Sequence, residues 1–250
     1  MNKMLSSLYR TALQAGAGIM TGGIILSFLA GGHVSGFLVK LVAVMALVGA
    51  ILYSLRASRL GEDWSPKSLA TVSTWTFALA SLLALIFHLA MPFQKFLVDL
   101  LAYVAAFAGL ISAISVTSNL LASRWGASRG TLLGAYCLTT ILAVGALTTL
   151  IPGEVLLPMK EQAVFAIIGS LASWGTISLL VDHYREAAST PGELISLSPQ
   201  RGVLNRILLW VGILLLMMGV VGAFIGTYLL AAVLVLFGHL LLSYILCQGE

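Results

Sequence analysis

Histidine is the side chain in this 250-residue sequence best suited to acid-base or ligand chemistry, and there are four of them. An ionisable group held at membrane depth is expensive, so each one inside an apolar run is a candidate for function. His33 and His88 fall near corresponding ends of the first and third apolar runs. Two imidazoles at matched depth on neighbouring helices can ligate a b-type haem, and Gly31, Gly32 and Gly36 are small enough to admit a porphyrin. Only one such pair exists and both members sit close to an interface, so haem b is not expected. His239 lies deeper, in Phe237-Gly238-His239-Leu240-Leu241-Leu242-Ser243-Tyr244. There an imidazole either hydrogen-bonds a neighbouring Ser or Thr or accepts a proton from a quinol, whose oxidation needs a group that changes charge near neutral pH. His183, in Asp182-His183-Tyr184-Arg185, reads as a solvated boundary residue.

The remaining chemistry-bearing groups are sparse. Of the nine carboxylates none is central in an apolar run, which argues against an ion-coupled pump. Lys95 and Asp99 are four apart at a helix start and are expected to pair locally. Cys137 is inside an apolar run and Cys247 is near the C-terminus, without Cys-x-x-Cys or a histidine at ligand spacing, so a metal site is not expected. There is no glycine-rich phosphate loop, no His-Glu-x-x-His and no nucleophile elbow. A stand-alone enzyme therefore has no motif behind it, and no Lys/Arg block points to nucleic acid.

The densest polar stretch is Arg56-Ala57-Ser58-Arg59-Leu60-Gly61-Glu62-Asp63-Trp64-Ser65-Pro66-Lys67, between two apolar runs. Arg56, Arg59, Trp64 and Lys67 together make a candidate docking surface: arginines bind partner carboxylates bidentately and an indole packs into an interface. Read more simply, the same loop is a solvated turn that fixes topology.

These residues must be positioned by membrane helices. The chain is 60% hydrophobic and 9% charged, too apolar to cover a soluble globule. Eight apolar runs of roughly 20 residues, the length that spans a hydrocarbon core, can be counted. They are 12–32, 36–55, 69–91, 96–122, 131–151, 163–181, 204–225 and 227–247, and only glycines with His33 divide the first pair and the last. The expected fold is all-α: one polytopic helix bundle over residues 1–250, with eight transmembrane helices. Lys3, Arg10, Arg56, Arg59, Lys67, Arg124, Arg129, Arg185, Arg201 and Arg206 share one face under that count, and Lys40, Lys95 and Lys160 the other. The asymmetry predicts both termini in the cytoplasm. Gly18-x-x-x-Gly22 in the first run has the spacing that lets two helix backbones meet. Ser112, Ser115, Thr117, Ser118, Asn119, Thr139, Thr140, Thr148 and Thr149 supply interhelical hydroxyls, and no internal repeat is legible.

Several short features resemble the DmsC-type membrane anchor subunits of dimethyl sulfoxide reductases and related molybdopterin oxidoreductases. They are Arg59-Leu60-Gly61 with Pro66-Lys67 between runs two and three, Gly109-Leu110-Ile111-Ser112-Ala113 followed by Arg124-Trp125, Leu138-Thr139-Thr140-Ile141-Leu142, and Gly238-His239-Leu240 with Tyr244. Arg59 stands where the family has histidine and His239 where it has glutamate. The resemblance implies a diverged anchor in a bacterial cytoplasmic (inner) membrane. Such an anchor oxidises menaquinol or ubiquinol near Arg59 and His239 and passes electrons to a ferredoxin-like iron-sulfur subunit, with a molybdopterin catalytic subunit beyond. The contrasting expectations are a non-enzymatic membrane protein, a small-solute transporter or assembly factor, and an anchor that bears b-type haem.

Overall fold

A computed structural model describes residues 2–30, 32–60, 68–124, 127–151, 159–189 and 199–246, with side chains described over most of the helical cores. The described residues form eight helices: α1 (Asn2–Leu29), α2 (Gly36–Leu60), α3 (Leu69–Ala90), α4 (Lys95–Arg124), α5 (Ala127–Thr148), α6 (Met159–Ser189), α7 (Pro199–Ile225) and α8 (Tyr228–Leu246). Apolar runs become helices because lipid offers the backbone no hydrogen-bond partners, so each N–H must be satisfied within its own segment. Seven are long and apolar enough to cross a bilayer, and α5 contributes the shorter apolar stretch Gly134–Thr148. The protein is a multi-pass membrane protein. Large apolar side chains such as Phe96, Phe107, Leu171, Trp210 and Phe224 face outward, as a lipid-facing surface requires.

Both glycine-marked breaks are real. After α7 the chain reverses at Gly226, whose φ of +88° is a left-handed conformation that a side chain would strain. The Thr227 N–H then reaches back to the Gly222 carbonyl at 2.9 Å, closing α7 with a Schellman-type cap. Between α1 and α2 the segment 32–35 is non-helical. Ser68 caps α3 by accepting the Thr71 N–H at 3.2 Å, and α3 stops at Met91, just before Pro92.

Two expectations need correction. The apolar runs understate the helices: α1 begins at Asn2 and α2 continues to Leu60, so Arg56 and Arg59 are helical rather than part of a loop. Arginine is a good helix former, and a hydropathy reading stops where charge begins although the helix does not. The second correction concerns repetition. Helices α1 to α4 close a four-helix bundle through the pairs α1·α2, α2·α3, α3·α4 and α1·α4. Helices α5 to α8 close a second one through α5·α6, α6·α7, α7·α8 and α5·α8. The bundles meet through α1·α5, flanked by α1·α8 and α4·α5, so exchanging α1–α4 for α5–α8 reproduces the pairing.

The α1·α5 crossing is parallel, since Gly18 meets Ile141 and Gly145 while Gly22 meets Gly145 and Thr149. Both halves therefore have the same orientation. A Cβ at Gly18 would fall on the Ile141 carbonyl and one at Gly22 would lie 2.7 Å from the Gly145 oxygen, so the backbones touch where the Gly-x-x-x-Gly spacing placed a close approach. Helix α1 is the hub, with 72% of its apolar window buried against 39–50% for the other windows. One continuous apolar core runs from Tyr9 on α1 to Ile245 on α8.

Candidate functional site

Because α1 is surrounded, its polar residues are forced inward. Ser7, Thr11, Gln14, Gly18 and Gly22 recur at intervals of three and four, which places them on one stripe of the helix. The stripe meets the second bundle at both ends: the Ser7 hydroxyl donates to the Leu240 carbonyl of α8 at 3.0 Å, and Gly18 and Gly22 meet α5. The half of the inter-bundle seam nearer the chain termini is polar, and the other half is closed by glycine. On the polar half Gln14 donates to the Thr117 hydroxyl of α4 at 3.5 Å, and the Cys137 thiol of α5 lies beside both residues.

His239 sits in this polar half. It is fully buried, and α5 supplies two residues that fix it. Its Nδ1 lies 3.1 Å from the Thr140 hydroxyl oxygen, and its backbone carbonyl accepts the Tyr136 hydroxyl at 2.8 Å, with the two rings edge to face at 5.8 Å. The Thr140 hydroxyl donates its one proton to the Tyr136 carbonyl at 2.8 Å. A hydroxyl has a single proton, so with that proton on the carbonyl Thr140 accepts toward the imidazole and Nδ1 is the nitrogen that donates. That leaves Nε2 as a bare lone pair, buried and with no hydrogen-bond partner among the described residues. The Ser/Thr contact expected for an intramembrane histidine is present, and it frees the other nitrogen as a proton acceptor.

Tyr9 precedes Gly18 by the same interval that separates Tyr136 from Gly145, so the two tyrosines occupy equivalent positions in the two halves. Where Tyr136 faces an imidazole, Tyr9 faces arginines. Arg56 of α2 donates to the Tyr9 hydroxyl at 2.6 Å, and Arg10 Nε lies 3.4 Å from the same oxygen. Both guanidinium carbons lie near the Tyr9 ring, at 5.7 and 5.8 Å from its centroid. Arg56 thus turns at least one nitrogen inward, and Arg10 is buried among helices. The side chain of Arg59 and all of Trp64 and Lys67 lie outside the described residues, as does His183's side chain.

The other two histidines occupy the opposite end of the first bundle, remote from His239. His33 Nδ1 lies 2.5 Å from Asp99 Oδ2, and Asp99 Oδ1 accepts the Val34 N–H at 3.0 Å. Asp99 therefore clasps the α1–α2 connection to α4, a longer-range role than the local Lys95 pairing expected of it. The His88 ring packs on Gly36, where a Cβ would collide with it, so the space at that glycine is taken by imidazole. Asp99→Ala removes both hydrogen bonds of the clasp and should lower stability by about 1–3 kcal/mol, read as a lower melting temperature in detergent.

A groove of about 320 Å³ opens on the outer side of the seam, between α1, α5 and α6, and is lined almost wholly by apolar groups including Ile25, Ile141, Leu142, Phe165 and Ile168. Its one hydroxyl residue, Thr21, donates back to the Ala17 carbonyl at 2.8 Å. Ile141 follows Thr140 in sequence, so the groove and the histidine cluster flank one turn of α5. Tyr136, Gln14 and Thr11 are not singled out by a histidine-centred reading of the sequence, and Asp99 is read there only as a local partner of Lys95. The Ser7, Thr11, Gln14 spacing was a visible signal for two of them. Comparison of the chain with protein-family models, with curated proteins and with solved structures finds no match.

Proposed function

We propose that this chain is the eight-span membrane anchor of a molybdopterin-type redox complex in a bacterial cytoplasmic membrane, with both termini inside. It oxidises menaquinol or ubiquinol and delivers the electrons to a ferredoxin-like iron-sulfur subunit. The observation that carries the reading is the bare, buried Nε2 of His239, held in place through Thr140 and Tyr136. A quinol gives up two protons with its two electrons, and the first proton needs a nearby lone pair that becomes cationic on accepting it. Two electrons leave to the partner's clusters, and both protons pass on to bulk water, the first by way of His239, as the quinol becomes quinone. The apolar groove beside α5 suits an isoprenoid tail, which asks for no hydrogen bonds. The short sequence features shared with DmsC-type anchors support the same reading, and the Lys/Arg asymmetry supports the orientation.

Arg59 stands, with Arg56, Trp64 and Lys67 of the same polar stretch, as a docking residue in this reading, and as the quinone-proximal residue of its alternative. Arg59→Glu replaces attraction with repulsion toward an acidic partner and should abolish co-purification of the iron-sulfur subunit, while Arg59→Lys retains most of it. Unchanged pull-down by Arg59→Glu would remove that surface from the proposal. A C-terminal reporter fusion should be active only in the cytoplasm.

A second reading has an observation of its own. Two four-helix bundles in the same orientation, with polar groups buried where they meet, are also how transporters built from parallel repeats hold a small solute. Quinol-independent solute flux in proteoliposomes would favour it over the redox anchor.

A further inference from the structure

Three buried polar atoms on the seam between the bundles have no partner among the described residues: Thr11 Oγ1 and Gln14 Oε1 on α1, and Nε2 of His239 on α8. They share a depth. The stripe of α1 that carries Thr11 touches α8 through Ser7 and Leu240, one turn toward the terminal end, and touches α5 through Gly18 on the other side. His239, next to Leu240, reaches Thr140 and Tyr136 on that same α5. Thr11 therefore faces the junction of α1, α5 and α8 in which His239 is buried.

Their chemistry is complementary to a single small ligand. Nε2 is a bare acceptor, because Nδ1 carries the proton. Gln14 Oε1 is a second acceptor, its amide nitrogen being directed at Thr117. The Thr11 hydroxyl supplies a proton and accepts another. Nε2 and the Thr11 hydroxyl together ask for a molecule that both donates and accepts hydrogen bonds, and a buried polar atom left without one is costly. Buried water typically makes about three bonds to otherwise unsatisfied groups of this kind. We propose that the junction of α1, α5 and α8 is a built water site, holding one water or a short cluster against His239 Nε2 and Thr11 Oγ1. On its other side the backbones of α1 and α5 touch at Gly18, Gly22 and Gly145. The site does not rest on the quinol reading: in the chain without substrate, water holds the place at Nε2 that a quinol hydroxyl would take.

Radiolytic hydroxyl labelling of the full chain in lipid nanodiscs, read by mass spectrometry, tests this, because radicals formed from ordered internal water mark the side chains beside it. Phe77, equally buried in the apolar core, is the internal dry control. His239 should be labelled at least about fivefold faster than Phe77. Thr11→Val should bring His239 down to the control level, and Thr11→Ser, which keeps the hydroxyl, should restore it. The spectroscopic melting temperature of each variant separates loss of water from loss of fold. A His239 label no faster than that of Phe77 in the wild type overturns the proposal, and so does a fast label that a folded Thr11→Val leaves unchanged.

Discussion

Gly18→Leu should prevent the two bundles from docking. The position has no space for even a Cβ, since the atom would fall on the Ile141 carbonyl, and a backbone obstruction cannot be relieved by a rotamer change. Overpacking a close-packed core typically costs about 1–3 kcal/mol, and here the obstruction is main chain on both sides, so the upper end is expected. Gly145→Leu should behave alike, because its Cβ would meet the Gly18 carbonyl. Gly134, with nothing near a Cβ, is the matched control on α5, and Gly134→Leu should be tolerated. Melting in detergent and the yield of monodisperse protein measure all three. Wild-type stability of Gly18→Leu would contradict the parallel α1·α5 crossing.

His239→Leu should lose quinol-oxidising turnover by about a hundredfold or more while leaving the chain folded, the lower end of what a positioned general base contributes. Folding is expected to survive because the Tyr136 bond goes to the backbone carbonyl of position 239, which any residue supplies, and because Thr140 retains its bond to the Tyr136 carbonyl. Thr140→Val is the informative companion. It removes the acceptor that selects the Nδ1 tautomer and should reduce turnover less, about tenfold, with the imidazole still present. Quinol-dependent reduction of the complex in membranes gives both rates. Equal turnover for wild type and folded His239→Leu would remove the histidine from the chemistry.

What was legible in the sequence was whatever depends on local composition. The helices, their breaks at the α1–α2 connection and Gly226, the close approach at Gly18 and Gly22, and the buried depth of His239 follow from runs and spacings. What was not legible lies in pairings between distant segments. His33 meets Asp99 across 66 positions, and only the fold selects that imidazole over Lys95 as the partner of the carboxylate. The two-bundle pairing is carried by backbone packing, and in α1 and α5 four identities keep the register, Leu5 with Leu132, Tyr9 with Tyr136, Gly18 with Gly145 and Thr21 with Thr148, too few and too scattered to read as a repeat. Ser6, Ser7, Arg10 and Thr11 lower the hydropathy at the start of α1, so the first apolar run begins only at residue 12. That placement left out the polar turn carrying Ser7 and Thr11, which faces the seam.

Photolabelling with a menaquinone analogue that bears an azide on its ring most directly tests whether this chain is a quinol-binding anchor. Ring labels should map to the peptides carrying Tyr136 to Thr140 and His239, should be displaced by unlabelled menaquinol, and should fall sharply in folded His239→Leu. Labels scattered over the lipid-facing side chains of α3, α6 and α7, with no displacement by menaquinol, would contradict the redox-anchor assignment.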